Sequence, residues 1–340
     1  MQRKTYLDSL KGFGICLVVL GHVIPDSFTK TESWIYSFHM PLFFIVSGML
    51  LQTIDRETDS RAFFTRRLRT ILWPYFTFCV IYAAMVFLQI PLGLKDMHYY
   101  IFDFLKELVL LEGYGALWFL PTLFLSQMLF LSVLKKLDRK YLPLLTLLAA
   151  AGISLLYVSP ARELPEWPFH QVARTVIGFC FLSMGYLTRY LPAPKKVNRP
   201  LLVLFSVALL ALEGFFAMHS PKADIHTFVL GNPILFWGNA AAGTAGFLIL
   251  SKLFLNHESI LSFFGRNSLI IMVTHTPLLI FLGNAFYSFV LQRFLAGSFR
   301  YPVVFLLVML LEYPVVLLCG RRLMFLFKYD AFRKLLPAKD

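Results

Sequence analysis

Near the N-terminus, a lysine and a histidine share one face of an apolar stretch. Lys11 and His22 are eleven residues apart. At about 100° per residue they return to within roughly 20° of one direction, and Asp8 lies about 40° from His22. Such a stripe must face protein or water, because ionisable groups are costly against lipid. At 1.5 Å per residue, Lys11 and His22 stand roughly 16 Å apart along the helix axis. They do not touch each other, but a ligand with an anionic head and a long thin arm reaches both. An imidazole at the end of that arm can take the proton of a weak nucleophile such as a hydroxyl. Two plainer readings stand beside this one. A lone membrane histidine can be a helix-packing hydrogen-bond partner, and a lysine near a helix end can snorkel.

Further polar residues interrupt later apolar runs. His39 sits near one end of a run that continues through Pro41, which should start or kink its helix. Ser47-Gly48 in the same run allows close backbone approach. Arg66, Arg67 and Arg69 gather at a membrane edge before Trp73-Pro74-Tyr75. They read equally well as a topology anchor or as a phosphate clamp, since guanidinium is a planar, bidentate donor set. Later spans add Trp118, Arg174, Glu213, His275 and Glu312. The four cysteines form no CxxC pair and no Cys/His cluster, which points to no metal site and no disulfide framework. Gly238–Gly246, rich in Gly and Ala, reads as a tight helix-packing face.

The elements that carry these residues follow from composition. Of the 340 residues, 58% are hydrophobic and 15% are charged, with mean hydropathy +0.68. Soluble domains hold about 45–50% apolar and about 25% charged residues. The chain therefore reads as an all-α integral membrane protein with about ten transmembrane helices. The spans fall near 7–26, 34–52, 70–90, 117–134, 141–158, 172–190, 200–217, 230–251, 267–285 and 301–319. The stretch 102–111 is too short to cross and suits an interfacial helix or a lid. Of the 32 Lys/Arg, 24 fall on one side of this arrangement, which predicts that both termini are cytoplasmic. The net charge of +13 is thus spread over short loops, a distribution that argues against a nucleic-acid surface. The first apolar run carries Asp8 and Lys11 and no small-residue cleavage site, so it is expected to remain as helix one. The chain, 1–340, reads as a single membrane-embedded domain.

Five segments in order resemble the membrane acyltransferase 3 family, in particular its fucose 4-O-acetylase-like branch. Lys11-x10-His22 is similar to the family's basic-x10-His signature, and Phe38–Phe44 followed by Ser47-Gly48 is similar to its second motif. Arg66-x-x-Arg69 before Pro74-Tyr75, Leu117–Leu120, and Gly265-x-x-Ser268-Leu269 with His275 resemble the others. Lys11 stands where many relatives carry Arg, and Met272 where an aromatic is common. The resemblance implies transfer of an acyl group, usually acetyl, from cytoplasmic acyl-CoA to a hydroxyl of a cell-surface or lipid-linked glycan, at the cell membrane. It also implies roles: His22 as general base, and Lys11, Arg66 and Arg69 holding the nucleotide end of acyl-CoA. Asp8, His39, Ser47, Trp118 and His275 would bind substrate or support the site. No SGNH-hydrolase segment follows the last span, so direct transfer or a separate partner is expected. Ten spans with buried His, Arg and Glu also suit a transporter or flippase, or a non-catalytic export subunit. The inverted repeats common in transporters are not visible in the sequence.

Overall fold

The computed structural model describes residues 4–24, 29–91, 93, 96–160, 166–191, 198–295 and 297–333. Among these the regular elements are all helical, and the one β-bridge pairs Asp224 with Val229 in a loop. In chain order the long elements are α1 (Thr5–Val23), α2 (Thr29–Leu50) and α3 (Ser60–Phe87), then α4 (Gly115–Lys136) and α5 (Arg139–Val158). After them come α6 (Glu166–Leu187), α7 (Arg199–Met218) and α8 (Pro233–Phe254). The chain continues through α9 (Ile260–Arg266), α10 (Ser268–Thr274), α11 (Ile280–Leu291) and α12 (Arg300–Arg321). This is an all-α integral membrane protein. A bilayer offers backbone groups no water, and helices satisfy them internally.

Eight of the described helices are long and apolar enough to cross a membrane. Two expected spans differ from that pattern. The span placed at 172–190 corresponds to α6, a 22-residue helix that buries Arg174. The span placed at 267–285 is interrupted. Helical geometry fails at Thr276 (φ −114°, ψ 149°), between α10 and α11. The Tyr82 hydroxyl donates to the carbonyl of Val273 at 2.8 Å and to that of Thr276, so the break leaves these two acceptors satisfied. The expected short segment is present as two brief helical turns, Tyr99–Leu105 and Lys106–Val109. Pro41 does not start its helix. It lies inside α2, which begins at Thr29.

Small residues decide which helices touch. A Cβ on Gly12 of α1 would stand 1.8 Å from the Leu261 carbonyl oxygen of α9, and one on Gly265 would stand 1.7 Å from that of Asp8. The same reciprocal contact joins α2 to α6. A Cβ on Gly48 would meet the Leu182 oxygen at 1.9 Å, and one on Gly185 the Ile45 oxygen at 1.9 Å. Within lipid no hydrophobic force draws helices together, so close backbone approach and polar contacts must do it. The expected small-residue face of α8 is used at Gly243, against Phe38, and at Gly246, against Leu210, but not at Gly238, which has nothing within 4 Å. Glu213 of α7 adds a polar tie by accepting from Trp34 Nε1 at 3.0 Å and Ser37 Oγ at 2.5 Å on α2.

Burial orders the bundle. Two thirds of the best spanning window is buried in α1, α2 and α4 (67% each), against 17% in α5 and α7. The exposed faces of α5 and α7 carry Leu144, Leu147, Leu155, Leu201, Leu204 and Phe205, as lipid contact requires. The central helices are therefore those that carry Lys11, His22, His39 and Trp118.

Candidate active site

His22 sits one residue before the end of α1. The start of α2 overshoots that end, so Gly21 packs against Ile35 and Tyr36. This offset brings His22 and His39 to one partly open chamber of about 120 Å³, lined also by Tyr36, Trp118, Asp224 and His226. Ile15 and Val18 form part of the same wall. They complete the α1 stripe predicted from helical period, since Lys11, Ile15, Val18 and His22 follow one another at steps of four, three and four. The chamber floor at Ile15 lies about 6 Å, one helical turn, short of Lys11. His22 is exposed and lines this chamber, beside half-buried Tyr36, Asp224 and His226 and buried His39 and Trp118.

Two further imidazoles are held in fixed tautomers. His39 is buried, and its Nδ1–H donates to the Ile35 carbonyl at 2.7 Å. His275 is fully buried, and its Nδ1–H donates to the Ile271 carbonyl at 2.8 Å. A carbonyl only accepts, so in each neutral ring the lone pair is left on Nε2. The His275 ring centroid is 5.3 Å from that of His22, and its Nε2 has no hydrogen-bond partner. The turn that carries His275 is anchored by Thr274, whose hydroxyl lies 2.9 and 3.0 Å from the two carboxylate oxygens of Glu312.

The remaining wall comes from two irregular segments. Residues 111–115 turn sharply through positive φ at Leu111 (62°), Gly113 (76°) and Gly115 (57°), which presents Gly115, Ala116 and Trp118 to the chamber. Gly113 admits no side chain, because a Cβ there would stand 2.4 Å from the Trp118 nitrogen. The loop between α7 and α8 supplies Asp224, Ile225 and His226. The His226 ring stacks on Trp118 (centroids 5.4 Å, planes 19°), and the Arg174 guanidinium lies 6.0 Å from the Trp118 ring centre. Burial, reinforced by the Arg174 charge, holds the His226 pKa down at about 4, so this ring is neutral at physiological pH.

A separate open cavity of about 460 Å³ is lined by Asp59, Arg61, Arg66, Arg69 and Asp330, at the end of the bundle where α1 begins and α2 stops. Arg69 pairs with Asp330 at 3.3 Å and lies 5.1 Å from the Tyr329 ring centre. Arg66 is exposed.

The family model described as an acyltransferase domain matches residues 4–319. The chain belongs to the acyltransferase 3 family. It is a multi-pass membrane acyltransferase. Comparison with curated proteins and with solved structures gave no match.

The acyltransferase thus gathers some of the sequence-selected residues and separates others. His22, His39 and Trp118 line one chamber, and His275 touches its edge through His22. Lys11 pairs with Asp8 at 2.9 Å, one turn below the chamber, and lines neither cavity with Arg66 and Arg69. Ser47 does not line the chamber. It lies eight residues beyond His39 on α2, beside Gly48, where α2 packs on α6. Sequence reading passed over Tyr36, Asp224 and His226, which all line the chamber. Arg67, grouped in the sequence with Arg66 and Arg69, is half-buried with its guanidinium 4.9 Å over Phe63 and does not line the arginine cavity. Tyr36 had a usable signal, since it lies three residues from His39. Asp224 and His226 had none, because a polar loop between spans looks like any other. Among the described residues no three His, Cys, Asp or Glu side chains are grouped to hold a metal ion.

Proposed function

We propose that this acyltransferase moves an acyl group, acetyl above all, from cytoplasmic acyl-CoA to a sugar hydroxyl of a surface or lipid-linked glycan, with His22 as general base. The observation that carries this is the exposure of His22 to a chamber inside an otherwise lipid-facing bundle. With both termini cytoplasmic, the cavity of Arg66 and Arg69 faces the compartment where acyl-CoA is made. These guanidiniums take phosphates of the nucleotide end. The pantetheine arm then follows the α1 face past Lys11, Ile15 and Val18 to bring the thioester to His22.

The acceptor oxygen attacks the thioester carbon as His22 takes its proton. A C–O bond forms, the C–S bond breaks, and the proton passes to the departing CoA sulfur. A histidine base works best when its second nitrogen donates to a fixed acceptor. His275 offers one. Its Nε2 is buried without a partner and its ring centre lies 5.3 Å from that of His22, and in this reading a His22 N–H donates to it. His39 and Trp118 shape the rest of the chamber. Asp8 acts by pairing with Lys11, while Gly48, next to Ser47, lets α2 approach α6.

His22→Ala is expected to lower transfer of labelled acetyl from acetyl-CoA to membrane glycans by about 10²–10⁴-fold with the protein still inserted. Transfer at the wild-type rate would remove His22 from the chemistry. Mass spectrometry of surface glycans with and without the protein identifies the acyl group and acceptor together.

A further inference from the structure

The loop that closes the chamber is built more firmly than a connecting segment needs to be. Asp224 and Val229 exchange both backbone hydrogen bonds, at 2.6 and 2.8 Å. The intervening turn uses positive φ at Phe228, and Gly231 follows with φ 62°. Phe228 is buried against Tyr157 and Phe169, with ring centroids 5.7 and 5.5 Å away. Lys222 forms an ion pair with the buried carboxylate of Glu32 on α2 and lies 4.0 Å over the Tyr36 ring. This clasp ties the loop to the helix that carries His39.

The result is a fixed carboxylate. Asp224 Oδ1 accepts the backbone N–H of His226 at 2.9 Å, which sets the side-chain direction at the chamber wall. Asp224 is the carboxylate among the described lining residues, and the stacked Trp118–His226 pair supplies flat aromatic surface beside it. A carboxylate accepts hydrogen bonds from hydroxyls, and an aromatic wall suits the C–H face of a sugar ring. The nearest loop cation, Lys222, is already committed to Glu32. A second anion placed beside Asp224 in a low-dielectric chamber would be repelled by that carboxylate at close range, whereas the Arg174 guanidinium stands behind the Trp118 ring, 6.0 Å from its centre. A chamber of about 120 Å³ has room for the edge of one ring and leaves the rest of a glycan outside.

We propose that Asp224, with the Trp118–His226 wall, forms the acceptor subsite and selects an uncharged sugar ring, whose hydroxyl it turns toward His22. This rests on the acyl-transfer reading above.

Binding and turnover test it separately. The probes are methyl glycosides of glucose, galactose and fucose, with methyl glucuronide as the anionic counterpart. Saturation-transfer NMR on the protein in lipid nanodiscs reads their binding. Wild type is expected to bind at least one neutral glycoside and to prefer it to the glucuronide. Asp224→Asn keeps an oxygen for the His226 N–H, so the loop is retained, yet it loses the charge-assisted bond and should weaken neutral binding about tenfold or more. His22→Ala should still bind these glycosides, with transfer lowered by about 10²–10⁴-fold. Neutral binding unchanged in Asp224→Asn, absent in wild type, or weaker than glucuronide binding overturns the subsite. Acetyl transfer retained in His22→Ala overturns the base assignment and leaves the subsite result standing.

Discussion

The imidazole at position 275 lies beside that of His22, with ring centres 5.3 Å apart. Its Nδ1–H is given to Ile271, it is fully buried, and its Nε2 has no hydrogen-bond partner. Leaving a buried acceptor unpaired costs about 1–3 kcal/mol, which is recovered when His22 donates to it. His275→Leu removes the acceptor and should lower kcat about tenfold or more with KM for acetyl-CoA unchanged. His275→Gln, whose amide oxygen can accept in the same place, should restore much of the loss. A purely packing role predicts the reverse order, since Leu fills an apolar site better than Gln. The Lys11–His22 relation was legible from helical period alone, because Ile15 and Val18 fall on the same stripe and line the same chamber. The separation of Lys11 from Arg66 and Arg69 was not. It depends on Asp8 capturing the lysine one turn away and on α3 standing elsewhere at that end of the bundle.

At the scale of elements, the loop between α7 and α8 behaves as part of the site. Its His226 has a pKa of about 4 against an ordinary value of 6.5, so folding favours the neutral ring. Between these values the unfolded loop binds more protons than the folded one. The contribution of His226 is therefore fully present above about 6.5 and is lost as pH falls toward 4. Amide hydrogen exchange across 219–232, corrected for intrinsic rates, should quicken over that window, and His226→Gln should flatten the dependence. Exchange in this loop that is equally pH-dependent in His226→Gln would assign the effect to another group. The interruption at Thr276 is a second element-scale feature. Apolar composition across 267–285 suggests a plain span, but Thr276 precedes Pro277, which disfavours helical geometry there, and Tyr82, far away in the chain, donates to the carbonyls of Val273 and Thr276 at the break beside His22.

For the molecule as a whole, the proposed donor and acceptor sites lie at different levels of the bundle. The arginine cavity sits where α1 begins, and the chamber where it ends. Arg66→Ala combined with Arg69→Ala should raise KM for acetyl-CoA about tenfold or more, through lost charge-assisted phosphate contacts, and leave acceptor binding unchanged. An unchanged KM for acetyl-CoA would reduce both residues to anchors at the membrane edge. The ion pair of Arg69 with Asp330 makes the C-terminal segment part of that cavity, so Asp330→Ala should alter the same parameter.

Composition and helical period alone determined the membrane-embedded all-α class, the approximate positions of its helices and the polar stripe on α1. These properties depend on local apolar length and on angles within one helix, both of which are written in consecutive residues. The tertiary structure decided which polar residues meet. His22 and His39 share a chamber because α2 overshoots α1, and α2 holds to α6 through reciprocal glycine contacts. Asp224 and His226 join them because Lys222 clasps Glu32 from 190 positions away in the chain. Such meetings are set by close packing between distant segments, and no spacing within a single helix encodes them.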